Sequence, residues 1–298
     1  GLSLAEDGIG GLADFAEDLP EEALAELEAL SEQLVKEAID GAMGEMEPYM
    51  KKTASFLKKL YSEQPELAQK AVDNLSALSD GGSPMDAYDV YQEIHAANAL
   101  PLSAGGDHSI TYPIMKAIGR DEPVGMVHFD AHCDTMGSLD DFKFHHGGPF
   151  RHAVLDGVLD PERCIQIGIR GPAEIFWEFS IESGMTVIHI EDFVEMGVDA
   201  VIQKAREVVG EGPTYITFDV DGLDPVYAPG TGTPEIGGLS TREAQAVLRG
   251  LRGLNIIGGD LVEVSPEYDS TTNTVQVGKQ ILFEILCLTA ESISSSSL

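Results

Sequence analysis

Apolar and polar positions divide the chain into two textures. Up to about residue 83 the apolar residues recur at helical spacing. Leu27, Leu30, Leu34 and Ala38 share one face of a segment that opens with Asp18 as N-cap, then Pro20 and two glutamates. Further helices are predicted from Pro48 to Tyr61, presenting Met50, Phe56, Leu57 and Leu60, and from Pro65 to Leu78, where "SDGGSP" breaks the chain. Ser83 and Pro84 open another helix that runs to about Ala97. From Leu100 short apolar runs alternate with helical stretches, the pattern of βαβ units and a largely parallel sheet. Strands are predicted over Leu100 to Ala104, Pro123 to Phe129, Cys164 to Ile169, Thr186 to Ile190, Thr214 to Phe218 and Asn255 to Val264. Helices fall at Thr111 to Ile118, Ala173 to Ser183, Asp199 to Val209, Ser240 to Leu251 and Val275 to Ala290. Ser240 followed by Glu243 reads as a capping box, so the start of that helix is the firmest boundary. The serine-rich end, "SISSSSL", is of low complexity and is expected to fray.

Composition narrows the class. A chain of 298 residues at 43% hydrophobic can bury one large α/β core. Its three cysteines, Cys133, Cys164 and Cys287, are odd in number and far apart, which fits a reducing compartment better than a disulfide framework or a CxxC metal site. Neither a long apolar run nor a basic segment leading into an apolar one is present, so a soluble, cytoplasmic protein with no membrane partner is expected. The formal charge is -33, and the first fifty residues hold fourteen acids against Lys36 alone. Such a chain lacks the Lys and Arg clusters that release counterions from a phosphate backbone, which excludes nucleic acid and favours cationic or neutral small partners.

The chemistry gathers where apolar runs end. In open α/β sheets ligands sit outside the carboxyl ends of the strands. Here "LPLSAGGDHS" delivers His108, "VGMVHFDAHCD" delivers Asp130, His132 and Asp134, and "TYITFDVDGLDP" delivers Asp219 and Asp221. Spacing of two points Asp130, His132 and Asp134 to one side of extended backbone, and likewise Asp219 and Asp221. Four carboxylates with no lysine or arginine nearby repel one another unless a cation compensates them. The oxygen-rich donor set prefers Mn²⁺ to zinc, and six ligands suit a binuclear centre. Each segment alone has a plainer explanation: Asp107 and Ser109 as helix caps, His128 as a hydrogen-bonded core histidine, Cys133 as packing, Asp224 before Pro225 as a turn former. Together the three segments are far harder to explain as structure.

"GGDHS", "FDAHCDT" and "FDVDGLDPVYAPGTGTPEIGGL" resemble the ureohydrolases, the family of arginase, agmatinase and guanidinobutyrase, in the family's order and spacing from about Pro84 to Leu288. "KFHHGGPFRHAVLDGVLDPERCIQIGIRG" and "YDSTTNT" are more similar to the agmatinase and guanidinobutyrase branch. The resemblance implies a three-layer α/β/α fold with a mainly parallel sheet, two Mn²⁺ per chain held by the six residues above, and hydrolysis of a guanidino compound of the agmatine or 4-guanidinobutyrate class. A metal-bridging hydroxide would attack the guanidinium carbon, giving urea and an amine. Asp134 would relay a proton to the departing amine, His146 in "HHGG" would shuttle protons to solvent, and Glu263 in "DLVEVSPEYD" would hold the guanidinium. The family also implies a homo-oligomer, a trimer or hexamer.

The chain departs from that family before residue 84. Where members usually begin with a strand and a glycine- and arginine-containing loop, this chain has acidic helical patterning. Three regions are therefore expected: 1–83 acidic and helical, 84–290 ureohydrolase-like, and 291–298 a flexible tail. The alternative this departure leaves is a natural or engineered scaffold that keeps the metal site without a working substrate pocket.

Overall fold

The computed structural model describes residues 84–138, 144–171 and 176–296. Contacts separate the chain into units Gly1–Ala68 and Gln69–Leu298, and the described residues belong to the second. The helices expected before Ser83 lie outside them. A 3₁₀ turn at Pro84–Ala87 leads into α1 (Tyr88–Ala96), followed by β1 (Leu102–Ala104), α2 (Thr111–Ile118), β2 (Val124–Phe129), α3 (Pro149–Leu155), β3 (Leu159–Ile169), α4 (Glu178–Ser183), β4 (Thr186–His189), α5 (Ile190–Met196), α6 (Val198–Val209), β5 (Thr214–Asp219), α7 (Thr241–Gly250), β6 (Ile256–Val262) and α8 (Asn273–Ser296). None of the described helices is long and apolar enough to cross a membrane.

Six strands form one sheet in the order β1-β6-β5-β2-β3-β4, all pairs parallel. From β2 the chain winds outward through β3 to β4, then returns to β5 beside β2 and winds the other way to β6. The order reverses between β2 and β5. Connections leave that boundary in opposite directions and open a crevice at the carboxyl ends of both strands.

Parity along each strand decides which face a side chain enters, and the sheet carries a core on each face. Val127 and Phe129 of β2, Ile165 and Ile167 of β3 and Phe218 of β5 join Phe193, Val201, Val247 and Ile285 on one side. Met126, Cys164 and Tyr215 join Ile114 and Met115 of α2 and Phe150 of α3 on the other. Helices thus cover both faces, giving the three-layer α/β/α arrangement expected of near-continuous apolar strands.

Local signals account for most boundaries. The capping box of α7 is present: Glu243 N–H donates to Ser240 Oγ at 3.2 Å, and Ser240 N–H donates to Glu243 Oε2 at 2.8 Å. Four features differ from the sequence reading. β3 begins at Leu159, ahead of Cys164, although Asp160 and Pro161 look like a turn; β4 pairs only from Ile165 onward, so the first residues of β3 are free on that side, where a missing N–H is tolerated. Helices α3 and α5 were not expected, because seven residues are too few to show a period. β6 stops at Val262 because Glu263 takes a φ of 61°. Helix α8 continues through Ser296, past the end expected at Ala290 and into the supposed tail; Ser292 is buried, and Ser294 and Ser295 hydroxyls donate back to the Glu291 carbonyl.

Gly259 of β6 marks a close approach between sheet and helix. A Cβ there would lie 2.6 Å from the Ile216 carbonyl oxygen and 2.6 Å from a methyl of Ile285 on α8. Gly259→Ala is expected to lower unfolding free energy by about 2 kcal/mol or more, as overpacking does, measured by urea denaturation with the slope unchanged.

Candidate metal centre

The crevice between β2 and β5 collects the acidic side chains. Asp130 follows the last residue of β2, His132 and Asp134 lie in the loop beyond it, Asp219 ends β5, and Asp221 sits in the 3₁₀ turn Val220–Gly222. His108 opens the 3₁₀ turn His108–Ile110 after β1, where Asp107 caps by accepting the Ser109 N–H at 2.9 Å. The cap at Asp107 thus leaves the neighbouring His108 side chain free to turn toward the carboxylates. Close approach of the two main loops needs glycine: a Cβ on Gly222 would lie 2.9 Å from the Asp130 nitrogen.

All six residues meet in two groups that share Asp130. His108 Nδ1 lies 3.3 Å from Asp130 Oδ2, 2.9 Å from Asp134 Oδ2 and 3.3 Å from Asp219 Oδ2. His132 Nδ1 lies 3.4 Å from Asp130 Oδ1 and 3.2 Å from Asp221 Oδ2. Each group places its donor atoms close enough together to hold one metal ion. The two oxygens of Asp130 face different groups, which is the arrangement of a carboxylate that spans two cations.

Three observations show that this donor set fits metal ions. His108 Nδ1 is buried without a hydrogen-bond partner, although three carboxylate oxygens surround it. Its other nitrogen fixes the neutral tautomer: Thr217 Oγ1 donates to Asp260 Oδ1 at 2.6 Å, so at 2.9 Å it accepts from His108 Nε2, and in the neutral ring Nδ1 carries the lone pair a cation would take. Among the described residues, no lysine or arginine pairs with any of the four carboxylates. Burial, then the charges of Asp221 and Asp130, push Asp219 well above the usual carboxylate range; burial and Asp130 raise Asp221 as well. His132 lies against two of these carboxylates. Burial alone would lower His132, yet Asp130 and Asp221 push it up to about 12; Asp130, which burial would raise, is held well below the usual range by His128, His108 and His132.

Glu263 and His146 stand beside this cluster. Glu263 Oε1 accepts the His108 backbone N–H at 2.6 Å, and its carboxyl is raised to about 7, mainly by burial. His146 is half-buried and near enough for its charge to act on Glu263. Asp134 and Glu263 both have positive φ, 51° and 61°, conformations that cost non-glycine residues about 1 kcal/mol or more and that concentrate at functional sites. Cys133 is buried, and Asp224 accepts backbone N–H groups of Val226, Gly237 and Gly238, as a turn former should. His128 is a fully buried, hydrogen-bonded core histidine, but its partner is Asp130 itself, Nε2 to Oδ2 at 2.7 Å.

The residues behind the ligands escaped the sequence reading. Thr217, Asp260 and Gln166 each sit in a strand otherwise read as apolar, and the signal was present: Thr217 shares parity with Asp219, and Asp260 interrupts "NIIGGDLVEV". Asp260 also accepts from the hydroxyls of Thr111 and Tyr215.

A model of the Arginase family matches residues 50–288, a range that takes in a stretch upstream of Pro84. The chain belongs to the Arginase family. It is 55% identical over 210 residues to a guanidinopropionase of Pseudomonas aeruginosa, a match covering 70% of this chain and 66% of the relative. It is 48% identical over 201 residues to a mitochondrial agmatinase of Gallus gallus, covering 66% and 59%. The solved structure of proclavaminate amidino hydrolase from Streptomyces clavuligerus superposes with a TM-score of 0.66 at 38% identity, covering 70% of each chain. The chain spans less than two thirds of the length of these two curated relatives.

In this Arginase-family chain one guanidinium organises the loop beneath Asp221. Arg170 donates to the carbonyls of Gly168, Asp221, Gly222, Leu223 and Glu235, with its shortest contact, 2.6 Å, at Asp221. Burial lowers its pKa, yet the charge is retained because five carbonyls need its donors. Arg170→Met strips these carbonyls of their partner, and a loss of about 3 kcal/mol in unfolding free energy is expected from denaturant titration.

Proposed function

We propose that this chain hydrolyses a short guanidino compound to urea and an amine, with two Mn²⁺ held by His108, Asp130, Asp134, Asp219, His132 and Asp221. One observation carries the reading: two donor groups that share Asp130 meet at the switch crevice of an Arginase-family fold, with His108 Nδ1 left unpartnered. When bound, such ions supply Lewis acidity and bring the pKa of water down to about 7.

The remaining work falls to side chains. A guanidinium is a poor electrophile because resonance spreads its charge, so orientation against the nucleophile matters. Glu263 offers a flat two-oxygen acceptor for that cation, and its Oε1 is anchored by the His108 N–H. A bound guanidinium would favour its ionised form and offset the burial that raises it. Asp134 moves the proton that the departing amine requires, and His146 exchanges protons with solvent. The relatives bracket the substrate: a guanidinopropionase and an agmatinase take the same guanidine on different tails, so the class is a guanidine on a short chain ending in carboxylate or ammonium. The chain works as a soluble cytoplasmic homo-oligomer.

Two measurements test this reading. After manganese loading, urea release is expected from at least one of agmatine, 4-guanidinobutyrate, 3-guanidinopropionate and arginine; Asp134→Asn and His146→Ala are each expected to lower kcat about 100-fold or more. Two ions bound per chain with no urea from any of the four would leave only a metal-holding scaffold. Metal addition to chelator-treated protein is expected to raise Tm by roughly 5–10 °C at a hundredfold Kd. His132, raised to about 12, keeps its proton at neutral pH until a cation displaces it. Binding therefore releases protons, and affinity rises with pH across the neutral range. Calorimetry in buffers of differing ionisation enthalpy reads the release directly; no buffer dependence would count against these ligands.

A further inference from the structure

Beneath the candidate ligands runs a row of polar side chains that parallel register lines up across the sheet. Gln166 of β3 pairs with His128 of β2, His128 with Thr217 of β5, and Thr217 with Asp260 of β6. All four are fully buried. Thr217 and Asp260 have a task already, fixing the hydrogen on His108 Nε2. Gln166 and His128 occupy the same level on the other side of Asp130, and the ligand set does not use them.

The hydrogen-bond pattern decides their states. Gln166 Nε2 lies 2.7 Å from the Cys133 carbonyl oxygen and 3.0 Å from His128 Nδ1. A carbonyl only accepts, so the amide nitrogen must face it, and the same nitrogen then faces His128 Nδ1. Nδ1 is accordingly the lone-pair nitrogen, and Nε2 carries the hydrogen that meets Asp130 Oδ2 at 2.7 Å. The arrangement leaves Gln166 Oε1 buried with no partner, a cost of about 1–3 kcal/mol. Packing alone would be met better by methionine. His128 lies close enough to His108 and Asp130 to be taken for a third imidazole ligand. That assignment fails, because His128 Nε2 as a ligand would need its hydrogen on Nδ1, against the amide N–H of Gln166.

We infer that Gln166 is a positioning residue for the metal centre: it fixes the His128 tautomer whose Nε2–H orients Asp130, and it ties down the Cys133 carbonyl next to Asp134. The carboxylate so held is the one common to both donor groups. The peptide so held joins Cys133 to the ligand whose φ of 51° would otherwise relax. Phe150 closes the pocket over both imidazoles, its ring 4.6 Å from His128 and 5.2 Å from His108. No solvent is needed to explain either tautomer.

This inference rests on the cluster being a metal centre, and the tests separate the two. Long-range ¹H–¹⁵N spectra of full-length, metal-free protein labelled at histidine, with the signal assigned through His128→Gln, are expected to show His128 as the Nε2–H tautomer; an Nδ1–H tautomer overturns the inference. Gln166→Met is expected to weaken binding of the second Mn²⁺ by about 10- to 100-fold, as loss of an outer-shell partner does. In the His128→Gln background a glutamine amide donates to Asp130 with no tautomer to fix and only the hold on the Cys133 carbonyl is lost, so the same substitution should cost at least about threefold less than it does in the wild-type background. Equal losses in both backgrounds, or none in either, would reduce Gln166 to a packing residue. Wild-type protein that takes up no manganese sinks the functional reading instead, and the tautomer spectrum still decides this one, as it does where Gln166→Met fails to fold.

Discussion

Four buried carboxylates at one crevice, with no ammonium or guanidinium paired to them, set the terms for the rest of this structure. Like charges a few ångströms apart in a dry site are tolerated only when protons or cations compensate them. Here the His132 imidazole lies between Asp130 and Asp221, while Asp219, buried beside Asp221 and Asp130, is pushed well above the usual carboxylate range. A pair of divalent cations would remove the conflict at once. The acidic cluster is therefore intelligible as a receptor for charge and costly as anything else.

The sheet makes such a cluster possible. Parallel strands bring their carboxyl ends to one edge, and the reversal of strand order between β2 and β5 opens that edge to a ligand. Register then supplies support one layer down, where Gln166, His128, Thr217 and Asp260 lie side by side across four strands. His108 and Asp130 are thereby each held by a neighbour whose own hydrogen bonds are already committed. Loops do the final aiming, at the expense of ordinary backbone geometry at Asp134 and Glu263. Arg170 holds the loop that carries Asp221 from outside the charged site.

Legibility in the sequence followed from how local each signal is. All six strands were visible as apolar runs, and α2 and α7 were bounded by signals within a few residues of their ends. The six candidate donors were legible because polar residues at the end of an apolar strand contradict the pattern around them. Helices α3 and α5 were not, since two turns carry too little periodicity, and the extension of α8 was hidden by serines that satisfy the backbone by bonding back to Glu291. Gln166 and Asp260 were read as strand because one polar residue in an apolar run has no meaning without the strands beside it.

The sequence by itself determined the alternating α/β order, the donor types and the strand ends that carry them, because these depend on residue chemistry and on periods of 2 and 3.6. It could also place Asp130, His132 and Asp134 on one side of a chain, since spacing of two is a local fact. Only the tertiary structure decided that Asp130 belongs to both donor groups, that His108 Nδ1 is bare, and that His128 serves a carboxylate rather than a cation. Those outcomes depend on which strands lie adjacent and in what register, and such pairings join residues as far apart as Thr111 and Asp260. Local chemistry chose the donors; long-range packing chose their tautomers, their partners and the shared oxygen pair.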